Sequence, residues 1–108
     1  MASRGDNPAS RLNDQARTTL TGCRLVVTRG IEATGEVETI IARVQAFSDF
    51  NARNDPYGEH DFGAFEFEGE TVFWKIDYYD VDLCMHSPDP ADPAVTTRVL
   101  IIMLGEEY

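Results

Sequence analysis

At 108 residues and 43% hydrophobic side chains, the chain suffices for one packed core and is too short for two. Its formal net charge of −10 argues against direct contact with DNA or RNA, because nucleic-acid binders need lysine and arginine to displace counterions from phosphates. No stretch approaches the roughly 20 apolar residues of a membrane span, no secretory signal opens the chain, and Cys23 and Cys84 fit neither a disulfide framework nor paired zinc ligands.

A cytoplasmic protein with two reduced thiols is therefore expected, in which the Arg4-Gly5-Asp6 triplet has no adhesion role. Residues 1–9 read as a flexible leader and residues 10–108 as a single α+β domain. Asn7 before Pro8 is a helix-start pair, and Leu12, Ala16 and Leu20 form a thin apolar stripe, so a helix is predicted over 8–19 and closed by Gly22. The β-branched run CRLVVT at 23–28 reads as a strand buried on both faces at Leu25 to Val27. Val37, Ile40, Ile41, Val44 and Phe47 fall three and four apart, the pattern of one buried helical face. Residues 48–61 carry turn formers with no period and read as a long loop.

The stretch from His60 to Asp80 holds most of the aromatic residues and reads as a β-hairpin. With Gly69-Glu70 as the turn, Phe67 faces Val72 and Phe65 faces Trp74, which puts Trp74 in the core and leaves Lys75 and Asp77 outside. Asp92-Pro93 repeats the helix-start pair, so the apolar run at 94–104 is assigned to a helix, its β-branched content leaving a strand as the alternative, with Glu106, Glu107 and Tyr108 as an exposed tail. The expected architecture is α+β, a small sheet of about three strands based on the antiparallel hairpin and covered by two or three helices, with the pairing of residues 23–28 left open.

Charge is divided unevenly. Residues 1–53 carry seven basic and six acidic side chains, whereas residues 54–108 carry two basic and thirteen acidic ones. That half attracts a basic protein partner. The residues expected to meet it are Asp55, Tyr57, Glu59, Asp61, Glu66, Phe73, Asp77, Tyr79, Asp80 and Asp82, since aromatic groups rimmed by charge are common at interfaces. A rival reading gathers His60, Asp61, Asp77 and Asp80 at one end of the hairpin as a divalent-metal or acid–base site. No catalytic spacing or phosphate loop is present, Cys84 and His86 make at most half a zinc site, and no cofactor is implied.

Three stretches, HDFGAFE at 60–66, VFWKIDYYD at 72–80 and SPDPADPAVTTRVLIIMLGEEY at 87–108, carry a resemblance. Together they resemble a small uncharacterised bacterial family, a domain of unknown function often encoded on plasmids and mobile DNA near anti-restriction genes, over residues 10–108. The resemblance implies no catalytic or binding residues. Its gene context implies an inhibitor of host defence against foreign DNA, in one form a DNA mimic, or an antitoxin-like or structural partner of a co-encoded protein.

Overall fold

The structure, a computed structural model, describes residues 7–108. Three helices and four strands follow one another as α1 (Pro8–Thr19), β1 (Cys23–Val27), α2 (Arg29–Ala33), α3 (Val37–Ala46), β2 (Phe62–Phe67), β3 (Glu70–Tyr79) and β4 (Thr97–Leu104). The sheet order is β1-β4-β3-β2, with β1 parallel to β4 and the other pairs antiparallel. The α+β class is as expected, but the sheet has four strands instead of about three, and β1, whose pairing the sequence left open, makes it mixed. Of the leader drawn over 1–9, residues 1–6 lie outside the described residues. Asn7 caps α1 through its side chain, and Pro8 and Ala9 belong to the helix.

One core holds the layers together. Ile31, Ile40 and Val44 from the helices pack on Val72, Trp74, Ile76, Tyr78, Leu100, Ile102 and Leu104, alternate residues of β3 and β4 and hence one face of the sheet. The helix assigned to 94–104 is a strand. Asp92 does cap Pro93 by accepting from Ala94 N at 2.9 Å, yet only a single 3-10 turn, Pro93–Val95, follows. The β-branched run beyond it inserts between β1 and β3, where both backbone edges find partners, and a central strand reads as apolar on both faces. That placement leaves β1 at the sheet edge. Leu25 and Val26, expected to be buried, are 39% and 44% exposed.

The hairpin register also differs. Its turn is Glu68-Gly69, both at positive φ (49° and 84°), the type I′ geometry that matches strand twist. Phe65 therefore faces Val72 and Gly63 faces Trp74, a shift of two residues from the expected pairing. A shift of two preserves the faces, so Trp74 remains fully buried, with Lys75 and Asp77 on the other side. Gly63 is what admits the indole: a Cβ there would lie 2.7 Å from Trp74 Cε2 and 2.8 Å from Phe47 Cε1.

Helix α1 buries Ala9, Ser10, Asn13, Ala16 and Arg17, so that of the Leu12-Ala16-Leu20 stripe only Ala16 is fully inside. Its inner face is polar because it completes two networks. Asn13 accepts from Arg98 Nε at 2.7 Å and donates to Tyr78 Oη at 2.7 Å, and Tyr78 Oη donates to Glu59 Oε1 at 3.0 Å. Arg17 Nη1 donates to the carbonyls of Val44, Gln45 and Phe47, closing the open end of α3, while its guanidinium lies 5.1 Å from the Trp74 ring centre. Among the described residues, no helix is long and apolar enough to cross a membrane.

Candidate functional site

Because the helices pack on the even-numbered side of β3 and β4, the opposite side of the sheet is left without a helical cover. Phe73, Lys75, Asp77 and Tyr79 of β3 project there and are all partly exposed, beside Phe62 and Glu66 of β2, Ile101 of β4 and Val26 of β1. An aromatic cluster occupies one end. The Phe62 and Phe73 rings are 5.5 Å apart, and Tyr108 folds back to 5.1 Å from Phe73 and 5.9 Å from Phe62. Tyr108 is thus not a loose tail, although it is 72% exposed. At the centre Lys75 Nζ lies 3.3 Å from Asp77 Oδ2, which Tyr79 Oη approaches at 3.5 Å.

The other end of β3 runs into a loop that the sequence reading passed over. Val81, Leu83 and Met85 are 59%, 39% and 71% exposed, alternating with Asp80, Asp82 and Cys84. The loop is folded, not loose: Asp80 Oδ1 accepts from Cys84 N at 3.0 Å, Asp80 N donates to Met85 O, and Tyr79 bridges to His86. Three apolar side chains are thus exposed on one hydrogen-bonded loop. Their alternation with acids was the available signal, hidden by the absence of any strand on which to place it.

The expected partner-binding residues divide into two groups. Glu66, Phe73, Asp77 and Tyr79 lie on the open face, with Asp80 and Asp82 in the adjoining loop. Asp61 lies beside Asp77 in a cavity of about 430 Å³ also lined by Ile76, Tyr78, Tyr79 and His86. Burial, and then the nearby Glu59 carboxylate, raises the Asp61 pKa above its ordinary value. Asp55, Tyr57 and Glu59 belong elsewhere. Asp55 is buried and accepts from the backbone N–H groups of Glu59 and His60. Glu59 is held by Tyr78, and the Tyr57 carbonyl accepts from Asn7 Nδ2 at the head of α1, which ties that loop to the helical layer.

The rival metal or acid–base set does not assemble. His60 sits between two other carboxylates, with Nδ1 2.9 Å from Asp14 Oδ1 and Nε2 3.5 Å from Asp55 Oδ2, and its ring stacks on Phe50 at 3.9 Å. Asp61 and Asp77 line a cavity with His86, and Asp80 is committed to its loop. Among the described residues no group of three or more His, Cys, Asp or Glu side chains is arranged to hold a metal ion. Both cysteines are unpaired, Cys84 exposed and Cys23 partly buried.

No curated protein and no solved structure matches the chain. The match to a family model begins later than the resemblance at 10–108 suggested, so that α1 and most of β1 precede it. It covers residues 27–107, which include the hairpin, the apolar loop and β4, and the chain belongs to that family, described as Protein of unknown function (DUF3768).

Proposed function

We propose that this chain is a non-enzymatic interaction module that docks a basic protein through the open sheet face and the adjoining 81–85 loop. The observation that carries the reading is the distribution of side chains along β3. Phe62, Phe73 and Tyr108 supply an aromatic cluster at one end, Ile101 and Tyr79 flank the Lys75–Asp77 pair at the centre, Val81, Leu83 and Met85 extend the surface beyond Tyr79, and Glu66, Glu68, Asp80 and Asp82 border it. Exposed aromatic and apolar groups bordered by charge are common at protein interfaces. A mimic of duplex DNA requires carboxylates along the whole strip, about one charge per 1.7 Å of axis, and this face carries an aromatic cluster at one end and Lys75 at its centre instead. Docking of a basic protein therefore accounts for the face better than groove mimicry does.

The mobile-DNA context implied by the resemblance makes a host defence protein the natural partner. An antitoxin-like role towards a co-encoded protein would use the same face and differ only in the protein recovered. The experiment compares capture from host lysate at low salt by the parent chain and by a folded Phe73→Ser, Tyr79→Ser double variant. Recovery of one basic protein, lost in the variant and weakened by added salt, supports the reading. Equal recovery by both chains overturns it.

A further inference from the structure

A cavity lies where the start of β1 meets the start of β4 beside α1. It measures about 540 Å³ and is lined in part by Gln15, Thr21, Arg24, Thr96, Thr97 and Arg98, a volume within the usual range of small-ligand sites. Its charge is opposite to that of the rest of the molecule. Asp and Glu outnumber Lys and Arg by 19 to 9, yet no acidic side chain lines this cavity and two arginines do.

Arg98 is 3% exposed and forms no salt bridge among the described residues. Its Nε is held by Asn13 Oδ1 at 2.7 Å and its Nη2 by the Pro90 carbonyl, which fixes the plane of the guanidinium. Its Nη1 forms no hydrogen bond among the described residues and keeps some exposure, unlike the orphaned and buried Nε of Arg17. The nearest network carboxylate, Glu59, reaches it only through Tyr78 and Asn13. Arg24, at the cavity rim, is exposed and likewise unpaired among the described residues. A buried guanidinium without a carboxylate is costly unless something anionic completes it, and a chain with surplus acids had the means to supply one.

We propose that this cavity binds a small oxyanion, a carboxylate or phosphate group, with Arg98 as its fixed base, Arg24 as the second cation, and Thr21, Thr97 and Gln15 as neutral hydrogen-bonding groups. Guanidinium matches both oxyanions in geometry, since its planar donors pair with two oxygens at once. The site lies at the starts of β1 and β4 and is lined by Arg24 but by neither Phe73 nor Tyr79, so the double variant at those two positions and a change at Arg24 test the two proposals separately.

The test is titration of the full chain with inorganic phosphate and, separately, with malonate at constant ionic strength, followed by amide NMR. Arg98 also anchors Asn13, so the exposed Arg24 is the residue to change. Saturable shifts confined to residues 21–24 and 96–98, with affinity about tenfold weaker in Arg24→Gln, are expected for the loss of one charge-assisted contact. The probe that binds more tightly identifies the headgroup. Absence of saturable shifts with both probes, or equal affinity in Arg24→Gln, overturns the assignment.

Discussion

Trp74 is fully buried, and its ring meets Phe47, Phe50 and the Arg17 guanidinium, so the helical layer and the sheet are joined through one side chain. Trp74→Ala is expected to cost about 3–5 kcal/mol in denaturant titration, the usual loss for an aromatic truncated in a core that cannot collapse around it. A loss below about 1 kcal/mol would place the indole near the surface and contradict the register. Glu107 acts at the opposite corner. Its carboxylate accepts from Thr28 Oγ1 at 2.6 Å, Leu104 N at 2.8 Å and Gly30 N at 3.0 Å, tying the end of β4 to the cap of α2. The Thr28 hydroxyl first, and then the two backbone N–H groups, hold its pKa below the ordinary 4.5. A depressed carboxylate stabilises the fold above its unfolded-state pKa, and that contribution disappears as pH falls through the folded-state value. Glu107→Gln should therefore lower Tm at neutral pH and converge with the parent in acid. Parallel curves at all pH values would show that the ionised form contributes nothing.

Among the elements, the hairpin and β4 show how local signals and long-range pairing divide the outcome. The alternation of Phe65, Phe67, Val72, Trp74 and Ile76 identified two strands and the buried face, but two adjacent glycine-containing turns, Glu68-Gly69 and Gly69-Glu70, were both consistent with it. The twist of the strands favours the first, at the expense of a non-glycine residue in the left-handed region. Glu68→Asn should relieve part of that strain and stabilise the protein by up to about 1 kcal/mol, measured by thermal or denaturant unfolding. A destabilised variant would mean that the Glu68 side chain contributes more than its backbone costs. In β4, Asp92-Pro93 does start a helical turn, so the local signal was read correctly and then outweighed. Val99, Ile101 and Ile102 gain two strand neighbours by leaving that helical path after Val95.

At the level of the whole molecule, a net charge of −10 on a chain of this size places like charges within a few Debye lengths of one another. Adding salt up to about 0.15 M should therefore raise Tm, because screening relieves self-repulsion, while weakening the complex with a basic partner. A Tm that falls over that range would mean that attractive pairs such as Lys75–Asp77 and Asp14–Arg17 dominate the field. Sequence alone determined the class, the acidic second half, the start of α1, the buried stripe of α3 and the face to which Trp74 belongs. Each is set by composition, period or a cap within a few residues. Only the tertiary structure decided that β4 is a central strand and β1 an edge. It alone sent His60 to Asp14 and Asp55 rather than to Asp61, and grouped Arg24 with Arg98. These depend on which distant segments become neighbours, and a pattern of period two or four fixes a face without fixing what lies across it.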